Sequence, residues 1–209
     1  QYIRLQQAEM PMVFYDRIPY GMNVSQVIVD DYIKAFFLVE HLIREGYRHI
    51  VHLQGPDDVY NSVERARGYK DALVKFNIPF DKDRMLKAGL TFKDGANAAD
   101  MLIEKGVSFD AIFAFTDTLA IGAMNRLRDL GKKIPEEIAI ASFSGTVLST
   151  IVYPQLTTVE PPLQQMGKVV AELIIEKIKE PLSPNRSIVL DAEIKLRASS
   201  KKEKDSKGK

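Results

Sequence analysis

Residues 111–141 read AIFAFTDTLAIGAMNRLRDLGKKIPEEIAIA. The passage opens on an unbroken apolar run, Ala111-Ile112-Phe113-Ala114-Phe115, and closes on another, Ile138-Ala139-Ile140-Ala141. Between them, Thr118 to Leu130 is read as a helix and Gly131 as its stop. Continuous apolar strands separated by amphipathic helices indicate a parallel sheet covered on both faces, since a strand buried on both sides has no polar face to alternate with.

The same rhythm extends upstream. Met12-Val13-Phe14-Tyr15 and Val27-Ile28-Val29 read as buried strands. From Tyr32 to Glu45, Ile33, Phe36, Phe37, Val39, Leu42 and Ile43 recur at helical spacing, and Gly46 follows. His49 to Leu53 is the next strand. Further helices are predicted over Ser62 to Phe76 and Asp94 to Lys105, with a short strand near Met85 to Ala88 between them. Downstream the rhythm changes. Leu156-Thr157-Thr158-Val159 reads as a strand, and Pro161-Pro162 stands where a helix would begin. That helix has Leu163, Met166, Val170, Leu173, Ile174 and Ile178 on one stripe, read as core packing. Ser187 to Arg197 alternates weakly, as one or two late strands would. Right-handed crossovers make the expected fold class α/β and doubly wound.

Composition limits the function classes. Apolar residues make up 45% of the 209-residue chain and charged residues 27%, as in ordinary globular proteins. The net charge of +1 leaves no electrostatic footprint for nucleic acid, so DNA reading is not expected of these residues. Cysteine is absent, which removes disulfides, thiolate metal sites and a cysteine nucleophile from consideration. No apolar run approaches the length of a membrane span, and the lack of cysteine is compatible with the expected location, the cytoplasm. No P-loop, nucleophile elbow or dinucleotide fingerprint is present. His41, His49 and His52 are read as structural, so neither metal nor cofactor is expected.

In open parallel sheets ligands bind beyond the carboxyl ends of the strands. Asp16 and Arg17 follow the first strand, Gln54 and Gly55 the strand at His49, Thr116 and Asp117 follow Phe115, and Ser144 and Gly145 follow Phe143. Asn61 and Arg65 stand in a strand-to-helix loop and the first helical turn after it. The candidate ligand contacts are therefore Asp16, Arg17, Asn61, Arg65, Thr116, Asp117 and Ser144. Asp117 has an equally good reading as the N-cap of the following helix.

Several of these stretches, in order, resemble the effector-binding domains of the lactose-repressor and galactose-repressor family. They are Val13-Phe14-Tyr15-Asp16-Arg17, the segment His41 to Ile50, Gly55-Pro56, Arg65-Ala66-Arg67-Gly68-Tyr69, Thr116-Asp117, Pro154 to Val159, Met166-Gly167 and Leu196-Arg197-Ala198-Ser199. The resemblance implies a type I periplasmic-binding-protein fold: two doubly wound parallel-sheet lobes with an effector between them, the N-terminal lobe incomplete. It places residues 1–30 and 160–190 in the N-terminal lobe and residues 31–159 and 191–198 in the C-terminal lobe. Residues 199–209 are expected to be a disordered tail. It implies a small-molecule effector, carbohydrate first, operator DNA bound through a helix-turn-helix outside this sequence, and a homodimer. Asp16 and Arg65 match effector-contacting positions. Thr116 replaces the usual Asn, and Ser144-Gly145 replaces a pair that often carries an acid, which departs from the usual sugar-binding set. A periplasmic sugar-binding protein of a transporter shares the architecture, and a small α/β enzyme is the more distant alternative.

Overall fold

A computed structural model describes residues 2–8, 10–19 and 21–202. After a short helix α1 (Tyr2–Gln7), the chain runs β1 (Val13–Tyr15), β2 (Ser25–Val29), α2 (Asp31–Arg44), β3 (Ile50–Gln54), α3 (Tyr60–Lys75), β4 (Met85–Lys87) and α4 (Phe92–Glu104). It continues through β5 (Ala111–Ala114), α5 (Asp117–Asp129), β6 (Ala139–Phe143), α6 (Leu148–Ile151), β7 (Thr157–Glu160), α7 (Leu163–Lys179), β8 (Ser187–Leu190) and β9 (Glu193–Lys195). The strands form two sheets, one in the order β1-β2-β8 and one in the order β4-β3-β5-β6-β7-β9. All pairings are parallel except β7 with β9.

The larger sheet is covered on both sides, and its strands show this residue by residue. Ile50, Phe113, Ala141 and Phe143 pack with α2 and α3 on one face. Val51, Leu53, Ile112, Ala114 and Ile140 pack with α4 and α5 on the other. Alternate residues are thus sent to opposite apolar layers, which is why these strands read as unbroken apolar runs. The first layer also takes in Val27 and Val29 of β2 and Met166 and Leu173 of α7, so one core runs from the larger sheet into the smaller. The expected doubly wound parallel architecture is present.

Several details differ from the sequence reading. Thr116, not Asp117, caps α5: its hydroxyl accepts from the Leu119 amide, and Asp117 is already helical. α3 starts two residues before the expected Ser62, and α4 starts at Phe92, where Thr91 and Asp94 form a reciprocal capping box. His49 lies outside β3. The late weakly alternating stretch, expected as one or two strands, is indeed two, β8 and β9, one in each sheet. The apolar stripe of α7 is buried only at Met166 and Leu173, while Leu163 and Ile178 are both 62% exposed. Ser199 and Ser200, expected in the tail, are fully buried in a 3-10 turn over Ala198–Ser200. Ser199 donates to the Ile140 carbonyl and accepts from the Thr157 amide, which fixes the turn beneath the sheet. The rest of the expected tail, residues 203–209, lies outside the described residues.

Candidate functional site

The carboxyl ends of β3, β5, β6 and β7 meet in a seam of buried polar groups. Arg65, in the first turns of α3, is 2% exposed. Its Nε donates to Asp31 at 2.7 Å and its Nη1 to the Phe115 carbonyl at 2.7 Å. The guanidinium lies 3.6 Å from the Phe143 ring centroid and 4.7 Å from that of Phe115, so two aromatic faces hold the fork in its plane. Nη2 makes no hydrogen bond among the described residues. Asp31 opens α2 directly after the chain leaves the smaller sheet, so this ion pair anchors a crossing between sheets. Burial raises the Asp31 carboxyl above its usual range, and Arg65 opposes that shift.

Asp16 follows β1 with φ 56°, in the left-handed region that Asp tolerates. The Asn61 side-chain amide donates to it at 3.4 Å, which links the smaller sheet to α3. Asn61 and Ser62 precede Arg65 by four and three residues and so share its helix face. Both are buried, and the Asn61 Oδ1 and Ser62 Oγ atoms have no hydrogen-bond partner among the described residues. Ser144, after β6, adopts φ 133°, a conformation normally left to glycine, and strain of this kind concentrates at functional positions. Arg17 is exposed and makes no ion pair among the described residues.

Asp117 and Thr116 play a different part. Asp117 is wholly buried. Its Oδ1 accepts from Ser142 Oγ and Thr158 Oγ1, both at 2.7 Å. Its Oδ2 accepts from the Thr146 amide at 2.6 Å and the Thr146 hydroxyl at 2.9 Å. The carboxylate ties α5 to β6, β7 and the loop before α6. Asp16 and Asn61 are thus in contact, Arg65 lies one helical turn on from Asn61, and Ser144 follows β6, whereas Thr116 caps α5 and Asp117 bonds Ser142, Thr146 and Thr158. Sequence reading missed Asp31, Ser62, Ser142, Thr146 and Thr158. The signal available for Ser142 was a hydroxyl residue interrupting an otherwise apolar strand, a contrast that Thr158, in the Thr-Thr-Val-Glu of β7, does not offer. A 220 Å³ cavity lined by Met12, Val24, Lys177 and Leu182 lies at the opposite, amino ends of β1 and β2.

The profile of the periplasmic-binding-protein-like domain matches residues 39–200. The chain belongs to this family. Within the periplasmic-binding-protein-like domains, its relatives are transcription regulators. It is 31% identical over 194 residues to the HTH-type transcriptional repressor PurR of Vibrio atlanticus, covering 93% of this chain and 58% of that protein. It is 28% identical to the HTH-type transcriptional regulator CelR of Thermobifida fusca, again over 93% of this chain and 58% of that protein. A solved complex of the regulator CelR with cellobiose superposes with a TM-score of 0.87 at 28% identity, covering 93% of this chain and 60% of that one. The resemblance to lactose-repressor-family sensor domains read from the sequence therefore holds. The chain spans a little under three-fifths of the length of the two curated relatives named. No helix among the described residues is long and apolar enough to cross a membrane, and no group of His, Asp and Glu there could hold a metal ion.

Proposed function

We propose that this chain is the ligand-sensing portion of a DNA-binding transcription regulator, in which a small molecule bound beside α3 biases how the two sheets' units sit and thereby operator affinity. The observation that carries the reading is the pair of buried oxygens, Asn61 Oδ1 and Ser62 Oγ, without a partner among the described residues, on the face of α3 that also carries Arg65 and meets Asp16 through the Asn61 amide. A buried oxygen without a partner costs about 1–3 kcal/mol unless something completes it, and a ligand hydroxyl or amide would. Asp16, Asn61, Ser62, Arg65 through its free Nη2, and Ser144 are the proposed contacts. Arg17, exposed beside Asp16 in the chain, is a further proposed contact, and Thr116 and Asp117 are assigned the supporting role of fixing α5 to β6 and β7. Carbohydrate is the leading ligand class, supported by the cellobiose bound to the related CelR. The reading has binding and linkage but no catalytic step.

DNA would be reached through a helix-turn-helix outside this sequence, in the cytoplasm. A second copy of the chain is the proposed partner. Val147, Ile151 and Tyr153, 72%, 69% and 80% exposed around α6, give apolar surface of the kind that marks protein contacts. The relatives' descriptions favour the regulator over a transporter's binding protein.

Calorimetric titration of the purified protein against a sugar and nucleoside panel tests the reading, with Ser62→Ala as the discriminating variant. Ser62 Oγ has no partner to lose, so the ligand-free variant should melt like the parent or about 1 kcal/mol higher. Its affinity for the ligand found should fall about tenfold, the equivalent of one lost hydrogen bond. Unchanged affinity would remove Ser62, and with it the carrying observation, from the site. Arg65→Ala is less informative, since it strands Asp31 in the interior.

A further inference from the structure

Four long helices flank the larger sheet, and three of them carry their own N-terminal caps. Asp30 caps α2, Thr91 caps α4 and Thr116 caps α5, each through a side-chain oxygen. The residue at the same place in α3 is Val59, which has no side-chain oxygen to offer. Its carbonyl takes the Ser62 and Val63 amides at 3.1 and 3.3 Å. The Tyr60 amide, first in the helix, instead donates to the carbonyl of Ile18 at 2.9 Å. Ile18 belongs to the connection between β1 and β2 of the smaller sheet. Beside this bond, Pro19 and Val59 form an antiparallel bridge. Ile18 is 3% exposed although it stands in a loop.

We propose that α3 is capped by the other sheet's unit, and that this contact is a latch holding the two sheets' units together on the β1 side. When the units part, the Tyr60 amide loses its acceptor, Ile18 is uncovered and the Asp16–Asn61 contact breaks. When they meet, the first turn of α3 is fixed, and with it Asn61, Ser62 and Arg65. Order in the first turns of α3 and approach of the two units are therefore one event. The latch needs no ligand, so its test is independent of the proposed function.

Tyr60 is the first helical residue, where proline is well tolerated, and Val59 before it is already extended at φ −111° and ψ 127°, as a residue preceding proline must be. Tyr60→Pro therefore deletes the latch donor while suiting the helix, and Tyr60→Ala removes the ring but keeps the donor. This chain holds no cysteine, so spin labels can be carried on cysteines placed at its exposed Leu182 and Lys105, for pulsed distance measurement. Tyr60→Pro should add a second, displaced distance population that wild type and Tyr60→Ala lack. If a cooperatively melting Tyr60→Pro protein gives the wild-type distribution, or Tyr60→Ala shifts it equally, the latch is refuted. Should Tyr60→Pro fail to fold, amide exchange in the wild type decides. The Tyr60 amide should exchange about a hundredfold or more below free-chain rates, and exchange near those rates overturns the proposal.

Discussion

Asp117 accepts four hydrogen bonds in a place no water reaches, and that makes it a structural tie. Asp117→Asn puts an NH2 where donors already point. At least two bonds to a charged acceptor would be lost, and denaturant unfolding should show a loss of about 3 kcal/mol. The sequence made the position conspicuous, as a polar residue after a buried strand, but not its task. Its partners Ser142, Thr146 and Thr158 lie 25, 29 and 41 residues away. Such contacts depend on which strands become neighbours, and local pattern carries no trace of that. His52 is the second residue-scale case. Its ring is stacked 4.6 Å from Phe113, and Nδ1 donates to the Phe113 carbonyl, while Nε2 has no partner among the described residues. Burial pushes its pKa down to about 4, against about 6.5 in an unfolded chain. Between those values unfolding takes up a proton. His52's contribution is therefore intact above about pH 6.5 and falls as pH drops toward 4, by on the order of 3 kcal/mol. His52→Phe fills the same stacked position without titrating. Urea melts from pH 7 to 4 should show a shallower decline than in the parent, and parallel declines would refute the assignment.

At the scale of elements, the apolar strands were legible because burial on both faces leaves a single composition, and the helices because a covering helix needs an apolar stripe. Helix starts were less legible. Val59 carries no capping oxygen, so nothing local announced α3 at Tyr60. Local pattern did not reveal sheet membership, and only the family resemblance divided the late stretch at residue 190: β8 and β9 are separated by only Asp191 and Ala192, yet one pairs with β2 and the other with β7. The contact between α4 and α5 shows what packing adds to propensity. A Cβ at Gly122 of α5 would run into the Phe92 carbonyl, and one at Gly95 of α4 into the Leu119 carbonyl. The two glycines let the helix backbones meet on both sides of one crossing. On propensity alone Gly122→Ala should stabilise by about 1 kcal/mol. The clash is with backbone, which has no rotamer to yield, so the helices must separate. We expect a net loss of about 2 kcal/mol by thermal or urea unfolding. A gain would mean that the crossing is looser than these distances imply.

For the whole molecule, the decisive feature is that three connections join the two sheets side by side. β2 passes to α2 through Asp30, β7 to α7 through Pro161-Pro162, and β8 to β9 through Asp191 and Ala192. Their neighbours are tied: Val29 pairs with Leu190, Glu160 with Glu193, and Lys34 reaches Asp191 at 2.7 Å. Arg197 donates to Glu160 at 2.5 Å and to the Leu156 carbonyl, bracing the middle connection against the larger sheet. Three parallel straps permit bending about the line they share and resist twisting. The middle strap is also the stiffest, since two successive prolines fix φ at consecutive residues. Replacing both Pro161 and Pro162 with glycine should act in two ways. It frees the unfolded chain, which by itself lowers stability by about 1–2 kcal/mol. It also softens the strap, so the distance between labels at Leu182 and Lys105 should broaden around an unchanged mean. That pattern differs from a broken latch, which adds a second population at a new distance. A single narrow distribution in the double-glycine protein would show that the other two connections and the shared core already fix how the sheets sit.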